Sequence, residues 1–461
     1  MRYVSTRGAS PPISFGDVLL AGPAPDGGLY LPEAWPQFSR AEVEGFRGES
    51  YQNVAFAILR CFAGNSLSDC DLKSDVASAY AGFDAPDIAP LRKIGSAYLL
   101  ELFHGPTLAF KDVAMQLLGR LFARELRRRG RRATIMVATS GDTGAAAIAA
   151  FRGQTNVDVV VIHPKGRVSE VQRRQMTTVA DANVHNLALE GSFDDAQNLV
   201  KALFADQAFA QAHQLAAVNS INFARIAAQC VYYFTASAQL SQAATFVVPT
   251  GNFGDVFAGE AASRMGLPIE RLVVATNAND ILAGALETGI YAAGRAQATL
   301  SPAMDIQVAS NFERALFEAS GRDAGWITAA MRGFAKTGKL EIRPDALTAL
   351  RKCYMAGHAD DEETLATMRA VHAESGVFID PHTAVAAAVA RKTVKDATGP
   401  VVILSTAHPA KFPQAVMRAT GKTPPLPPQL AGLLEREERY DIVPNDARAL
   451  KTSITERIRP A

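Results

Sequence analysis

Short apolar runs rich in β-branched residues alternate with alanine-rich helical segments between Leu99 and about Ala407, and this alternation restricts the fold more than any other feature. Strands that are apolar along their whole length are usually buried on both faces. The pattern therefore predicts an α/β protein whose parallel sheets are covered by helices on both sides. The predicted strands are Thr134–Ala138, Val157–Ile162, Val184–Ala188, Phe246–Val248, Leu272–Ala275 and Val401–Leu404.

The regions outside this alternation have other patterns. Residues 1–95 contain repeated proline and glycine turns before a helical pattern from Arg40 to Ala63, and we interpret them as an N-terminal block. Between residues 310 and 393 the strand signal nearly disappears, which predicts a mostly helical insert. Beyond Lys422, four prolines lead into an extension that ends in a charged helix.

Composition excludes several classes of function. The 461 residues include 47 Lys plus Arg and 46 Asp plus Glu, so a net charge of +1 gives no reason to expect nucleic acid or a membrane as a partner. The arginine-rich segment 124–132 is better explained as the solvated last turn of a helix. No segment approaches the roughly 20 apolar residues of a membrane helix, and the four cysteines neither pair as C-x-x-C nor cluster with histidine. We therefore expect a cytoplasmic protein without a metal site.

The segment from Glu101 to Asp112 reads Glu-Leu-Phe-His-Gly-Pro-Thr-Leu-Ala-Phe-Lys-Asp, and it carries the first chemical signal. A Gly-Pro turn ends an apolar run, and the helix-periodic residues that follow place Lys111 in the first turn of a helix. The helix dipole and the apolar neighbours Phe110 and Val113 both disfavour an ammonium, so we expect a lowered pKa for Lys111. A neutral amine attacks aldehydes, which makes Lys111 a candidate Schiff-base lysine. Taken alone, the segment also fits a surface lysine that opens a helix.

Two glycine-rich turns each follow a predicted strand and precede a predicted helix: Thr139-Ser-Gly-Asp-Thr-Gly144 and Pro249-Thr-Gly-Asn-Phe-Gly-Asp255. Such turns direct backbone N–H groups and a helix N-terminus at an anion. Neither has the G-x-G-x-x-G or G-x-x-x-x-G-K-[ST] pattern, so a dinucleotide or nucleoside triphosphate site is poorly supported. Two anion-binding turns and a helix-start lysine match the phosphate, carboxylate and aldehyde carbon of pyridoxal phosphate joined to an amino acid.

Seven motifs occur along the chain in the order that they have in one enzyme family. They are Tyr3-Val-Ser-Thr-Arg-Gly, Pro25-Asp-Gly-Gly-Leu-Tyr-Leu-Pro32, His104-Gly-Pro-Thr-Leu-Ala-Phe-Lys-Asp112, Thr139-Ser-Gly-Asp-Thr-Gly144, Asn219-Ser-Ile-Asn222, Gly251-Asn-Phe-Gly-Asp255 and Ser405-Thr-Ala-His-Pro-Ala-Lys-Phe412. On these motifs the chain resembles the bacterial and fungal branch of the threonine synthases, pyridoxal phosphate enzymes of the tryptophan-synthase-β-like fold type. The resemblance implies two parallel-sheet α/β domains of that type. Residues 96–114 and 226–461 would form a large cofactor domain that includes the insert at about 310–393, and residues 115–225 a smaller mobile domain.

The resemblance also implies roles for individual residues. Lys111 would be the Schiff-base lysine and the general base, and the hydroxyl of Thr406 would face the pyridine nitrogen. Ser140 and Thr143 would bind the α-carboxylate of the substrate. The implied cradle of the cofactor phosphate is Gly251, Asn252, Phe253, Gly254 and Asp255.

Two assignments are less direct. Asp142 stands where the wider fold type has an asparagine that touches the ring hydroxyl, and a carboxylate there needs a shared proton or another orientation, so its role stays open. Lys165 and Arg167 follow the predicted strand Val157–Ile162, and we expect them to clamp the phosphate of the substrate. The alternative is that both are charges at the rim of the site.

The reaction that the resemblance implies is O-phospho-L-homoserine plus water giving L-threonine and phosphate by β,γ-elimination and hydration, the last step of threonine biosynthesis. One base has to act at two carbons while water enters at one step, which suggests that the smaller domain closes over the site. A serine or threonine dehydratase-like lyase, and a catalytically silent pyridoxal phosphate-binding homologue, are the alternatives. The expected assembly is a monomer or homodimer, and the sequence determines neither kinetic constants nor effectors.

Overall fold

This computed structural model describes residues 1–395 and 397–459. Its N-terminal region combines a small antiparallel sheet with four α-helices. Its sheet has the order β2-β1-β3. Tyr3 is fully buried, and its hydroxyl donates to the carbonyl of Phe62 at 2.8 Å, which ties the sheet to the helices. The elements are β1 (Arg2–Ser5), β2 (Ile13–Ser14), α1 (Phe15–Leu20), β3 (Tyr30–Pro32), α2 (Arg40–Gly45), α3 (Tyr51–Ala63), α4 (Asp69–Tyr80) and β4 (Leu91–Ile94).

A five-stranded parallel sheet forms the centre of the smaller domain, with the strand order β16-β8-β7-β6-β9. All eight residues of its central strand β7 are buried, as expected for a parallel strand covered on both faces. The elements from residue 97 to residue 216 are β5 (Ala97–Glu101), α5 (Lys111–Arg128), β6 (Ala133–Ala138), α6 (Asp142–Phe151), β7 (Val157–Pro164), α7 (Glu170–Thr177), β8 (Val184–Glu190), α8 (Phe193–Ala205), α9 (Gln207–Ala212) and β9 (Leu215–Ala216).

The larger sheet has six strands in the order β14-β11-β10-β15-β5-β4, all parallel except for the antiparallel pair of β4 with β5. Its central strand β10 is buried along its whole length. The elements of this part are α10 (Phe223–Gln239), β10 (Ala244–Pro249), α11 (Gly254–Arg264), β11 (Ile269–Thr276), α12 (Ile281–Thr288), β12 (Ile290–Ala292), α13 (Phe312–Ala319), α14 (Ala324–Thr337), β13 (Lys339–Glu341), α15 (Pro344–Cys353), β14 (Tyr354–His358), α16 (Asp361–Ser375), α17 (Pro381–Thr393), β15 (Val401–Ser405), α18 (Pro413–Thr420), β16 (Asp441–Pro444) and α19 (Ala447–Thr455).

The six predicted strands are all present and the insert is mostly helical, but the expected placement of the C-terminal extension is wrong. The helical insert contains β14, which pairs with β11 at the edge of the larger sheet. The C-terminal extension does not belong wholly to the larger domain, because its strand β16 pairs with β8 of the smaller sheet. Val443, Leu450 and Ile454 of the extension are buried against the smaller domain, so burial of these side chains explains the crossing.

Among the helices in residues 1–395 and 397–459, none has the length and apolar character that crossing a membrane requires.

Candidate active site

Lys111 is the first residue of α5, as predicted, and its side chain is only 10% exposed. The loop before it is held by the segment after β15: the N–H of Phe110 donates to the carbonyl of Thr406 at 2.8 Å, and the N–H of His408 donates to the carbonyl of Leu108 at 3.0 Å. Leu108 has a φ of 61°, so the chain turns sharply just before the helix. The loop therefore delivers Lys111 to the ends of the parallel strands.

Asp142 contacts two lysines at this point. Its Oδ2 lies 3.3 Å from Nζ of Lys111, and its Oδ1 lies 2.7 Å from Nζ of Lys411 and accepts a hydrogen bond of 2.8 Å from the amide of Gln172. The side chain of Lys411 is fully buried, and its Nζ also donates to the carbonyl of Thr107 at 2.7 Å. The orientation of Asp142, which the sequence left open, is toward the side-chain nitrogens of these two lysines.

The electrostatics agree with the expectation for a nucleophilic lysine. Burial lowers the pKa of Lys111, the cations of Lys411 and Arg225 lower it further, and the carboxylate of Asp142 opposes both effects. Burial alone would raise the pKa of Asp142, but Lys411, Lys111 and the Gln172 amide more than offset it and hold that pKa well below its usual range. The direction predicted for Lys111 is therefore confirmed, with burial as its main cause.

The first glycine-rich turn connects β6 to α6. The hydroxyl of Thr139 accepts hydrogen bonds from the N–H groups of Gly141 and Gly144, at 2.9 and 3.0 Å, and so fixes the turn. Within residues 1–395 and 397–459, the hydroxyls of Ser140 and Thr143 find no hydrogen-bond partner, and neither do their backbone N–H groups. These donors are available to an anion at the start of α6.

The second turn connects β10 to α11. Phe253 has a φ of 64°, and its ring packs on Phe312 and Tyr354. The carbonyl of Asn252 is occupied by the N–H and side-chain amide of Asn311, both at 3.0 Å. None of the backbone N–H groups from Gly251 to Asp255 has an acceptor among the residues that the structure describes. These N–H groups are therefore available to an anion, and their role as the cradle of the cofactor phosphate stays a prediction.

Asp255, which the sequence assigns to this cradle, has a carboxylate that is bonded to α10. Oδ1 accepts hydrogen bonds from the hydroxyls of Tyr232 and Tyr233 on α10. Burial raises the pKa of this carboxyl to about 6. The side chain of Asp255 therefore anchors the turn to α10, while its backbone N–H has no acceptor among the described residues.

Thr406 follows β15 and is 5% exposed. Its N–H donates to the hydroxyl oxygen of Thr383 at 3.3 Å, while its own hydroxyl has no partner in the described part of the chain. That hydroxyl is therefore available to a ring nitrogen, and this role of Thr406 stays a prediction.

Lys165 and Arg167 are not joined to these residues. Both are exposed, and Nζ of Lys165 lies 3.2 Å from Glu190, at the end of β8. No contact in residues 1–395 and 397–459 connects either side chain to Lys111. Their role as a clamp for the substrate phosphate remains a prediction.

Arg225, in the first turn of α10, is a cation that the sequence analysis missed. It is 4% exposed, and among the described residues its side chain makes one hydrogen bond, of 3.3 Å, to the carbonyl of Val218. Its Nε has no partner, and it pairs with no carboxylate among the described residues. Burial lowers its pKa to about 10. A buried, unpaired guanidinium whose charge also acts on Lys111 is a strong candidate for binding an anion.

Three family models match successive parts of the chain. Residues 2–80 match the threonine synthase N terminus, residues 84–359 the pyridoxal-phosphate dependent enzymes, and residues 383–454 the threonine synthase C-terminal model. A threonine synthase of Pseudomonas aeruginosa is 49% identical over 461 residues, covering 99% of this chain and 98% of that protein.

The chain belongs to the threonine synthase family. Solved structures of family members agree: a pyridoxal phosphate-bound threonine synthase from Brucella melitensis has a TM-score of 0.97 at 50% identity, and both chains are covered completely. The threonine synthase of Escherichia coli has a TM-score of 0.83 at 33% identity, with 99% of this chain and 100% of that chain covered. The expected fold class and the expected pyridoxal phosphate cofactor are confirmed.

The residues at the site fit this cofactor of the threonine synthase family. Lys111 supplies a buried amine of lowered pKa, and the turn from Gly251 to Asp255 supplies unpartnered N–H groups for a phosphate. A Cβ on Gly251 would lie 2.7 Å from the carbonyl oxygen of Ala303, so only glycine fits this close approach. In contrast, no group of three or more potential His, Cys, Asp or Glu ligands for a metal occurs in residues 1–395 and 397–459.

Proposed function

We propose that this protein converts O-phospho-L-homoserine and water into L-threonine and phosphate, with pyridoxal phosphate as its cofactor. The observation that carries the proposal is the buried Lys111, of lowered pKa, at the start of α5 beside two turns whose N–H groups are free to bind anions. Similarity to threonine synthases along the full chain supports the same reaction.

The bound cofactor supplies an aldehyde that condenses with amines and a conjugated ring that takes up electrons from the substrate carbons. Lys111 would hold the cofactor, and its amine would move protons at the α and β carbons of the substrate. The donors of Ser140 and Thr143 orient the α-carboxylate, and the hydroxyl of Thr406 faces the ring nitrogen. Unlike a carboxylate, this hydroxyl does not hold a proton on the ring nitrogen.

The phosphate of the substrate needs a cation of its own. Arg225 supports this role best, because its guanidinium is buried, lacks a carboxylate partner and lies close enough to affect the pKa of Lys111. Lys165 and Arg167 remain candidates only if the smaller domain moves over the site, since both are exposed. We infer such a closure from the need to exclude water between the two chemical steps.

The compartment and assembly are also proposals. Cys61, Cys70, Cys230 and Cys353 are all free thiols, which supports a reducing compartment such as the cytoplasm. A monomer or homodimer remains our expectation for the assembly.

Incubation of the purified protein with O-phospho-L-homoserine tests the function, with L-threonine and free phosphate followed together. We expect the two products in equal amounts from the parent and from Lys422→Ala, which changes an exposed lysine, and neither product from Lys111→Ala. A 2-oxo acid and ammonia in place of threonine would instead identify a dehydratase-like lyase. Cofactor binding without turnover of any amino acid would identify a silent homologue.

A further inference from the structure

Lys411 is a buried cation that lies in the motif from Ser405 to Phe412, but neither the sequence analysis nor the proposed reaction gives it a role. It ends the short helix Pro409–Lys411 after β15, in the larger domain, while its partner Asp142 begins α6 of the smaller domain. The 2.7 Å contact between them therefore crosses from one sheet system to the other, directly beside Lys111.

The geometry indicates which of the two lysines is the charged ammonium that pairs with Asp142. Nζ of Lys411 has two oxygen acceptors at 2.7 Å, Asp142 Oδ1 and the carbonyl of Thr107. Nζ of Lys111 has one acceptor, Asp142 Oδ2 at 3.3 Å, and otherwise lies 4.8 Å from the ring centre of Phe110. A buried ammonium is stable only where oxygen acceptors replace its water shell, so Lys411 is the charged member.

We propose that Lys411 is a positioning residue, whose ammonium neutralises the carboxylate of Asp142 and so leaves Lys111 as the neutral amine that the cofactor chemistry needs. The side chains of Lys411, Asp142 and Lys111 then have a net charge of zero. The ammonium of Lys411 lies 2.7 Å from the carboxylate of Asp142, and Lys111 carries no charge. This also explains how a carboxylate can occupy the position of Asp142. The negative charge of Asp142 is balanced by the ammonium of Lys411.

The charges that act on Lys111 come from four elements. Asp142 of α6 and Asp255 of α11 are acidic. Lys411 of the short helix Pro409–Lys411 and Arg225 of α10 are basic. Removing the cation of Lys411 leaves Asp142 with Lys111 as its nearest cation, and it also removes a like charge from the surroundings of Lys111. Both changes act in the same direction, so the pKa of Lys111 is expected to rise.

This inference rests on the proposed function only in taking Lys111 as the cofactor lysine, and its test needs no phosphohomoserine. The full chain, freed of cofactor by dialysis against hydroxylamine, is labelled with formaldehyde and a borane reductant at a series of pH values. Mass spectrometry then gives the extent of methylation at Lys111. In Lys411→Met we expect the pH midpoint of Lys111 labelling to rise by about one unit or more, which is about a tenfold loss of reactivity at neutral pH.

Three further variants distinguish a charge effect from a structural one. Lys411→Arg keeps the cation and should keep the parent midpoint, and Lys422→Met should leave the midpoint unchanged because Lys422 is exposed. The double variant Lys411→Met/Asp142→Asn removes both charges and should bring the midpoint back toward the parent value. Lys411→Gln, which is polar and smaller, is the substitute if the methionine variant does not fold, as judged by circular dichroism.

The inference is overturned by an unchanged Lys111 midpoint in Lys411→Met or Lys411→Gln, or by a raised midpoint that persists in the double variant. Failure of the proposed function has a different signature. In that case, the parent makes no threonine, while the labelling midpoints of Lys111 still shift as expected.

Discussion

Nδ1 of His382 lies 2.6 Å from Oδ2 of Asp380, and both side chains are buried. The other ring nitrogen, Nε2, accepts a hydrogen bond of 3.2 Å from the N–H of Ala303, so Nδ1 carries the hydrogen and donates to Asp380. The carbonyl of Ala303 borders Gly251, in the turn proposed for the cofactor phosphate. Asp380 also accepts from the hydroxyl of Thr383, whose oxygen accepts the N–H of Thr406. One buried pair thus supports both ends of the proposed cofactor site.

His382→Ala should therefore weaken cofactor binding without touching the cofactor. The change leaves the N–H of Ala303 without an acceptor and removes the ring donor of Asp380, which keeps its bonds from the backbone and from Thr383. The cost is about 1–3 kcal/mol, so the Kd for pyridoxal phosphate should rise by about tenfold. The measurement is a titration of cofactor-free protein with pyridoxal phosphate, followed by absorbance. His358→Ala, at an exposed histidine, is the control. Equal Kd values for the two variants would show that the His382–Asp380 pair does not support the site.

Gly251→Ala should affect cofactor binding more than Gly254→Ala, although both glycines belong to the same motif. A Cβ on Gly251 would meet a backbone oxygen at 2.7 Å, which cannot move without displacing residues 302–304. A Cβ on Gly254 would meet the side-chain nitrogen of Asn311 at 3.3 Å, a neighbour that can adjust. Overpacking of this kind costs about 1–3 kcal/mol, so retention of cofactor on dialysis should fall clearly for Gly251→Ala.

The same pair of variants also checks where the phosphate lies. If Gly251→Ala and Gly254→Ala retain the cofactor equally well, the turn from Gly251 to Asp255 does not hold the cofactor phosphate.

Arg225→Gln should reduce kcat/KM for O-phospho-L-homoserine by about tenfold or more, because a charge-assisted contact to an anion contributes about 1.5–3 kcal/mol. The double variant Lys165→Ala/Arg167→Ala should lose less, since both side chains are exposed and surface charges contribute little. Spectral titration with a non-phosphorylated amino acid of similar length is the control, and neither variant should weaken it strongly. A larger loss in the double variant than in Arg225→Gln would restore Lys165 and Arg167 as the phosphate clamp.

The sequence predicted the parts of the site that depend on neighbouring residues. The helix start at Lys111 and the turns after β6 and β10 are determined locally by glycines and apolar runs, and the structure has all three. Strand β14 was missed because Tyr354-Met-Ala-Gly-His358 contains a glycine and no β-branched residue, and pairing with β11 determines its conformation.

Lys411 and Arg225 were missed for a different reason. Each is a single basic residue in the sequence, and its importance comes from burial and from partners that are distant along the chain. Lys411 had one local signal that could have identified it: the residue lies between Ala410 and Phe412, in the motif that follows a predicted strand. A lysine in such apolar surroundings is more often buried than a lysine in a charged helix.

His408 should make the stability of the protein depend on pH below neutrality. Its ring packs against Phe103, its Nδ1 accepts from the N–H of Ala410 at 3.1 Å, and burial together with the nearby His104 lowers its pKa to about 4. An unfolded histidine has a pKa of about 6.5, so between pH 6.5 and 4 the unfolded chain binds more protons than the folded protein. The stabilisation that the neutral His408 gives to the folded protein is therefore complete above about pH 6.5 and is lost as the pH falls toward 4.

The variant His408→Asn tests this. Its side chain can still accept a hydrogen bond at the start of the short helix but does not titrate, so its urea unfolding midpoint should fall less between pH 7 and pH 5 than that of the parent. Exposed His358→Asn should follow the parent, and identical pH profiles for His408→Asn and the parent would contradict this account.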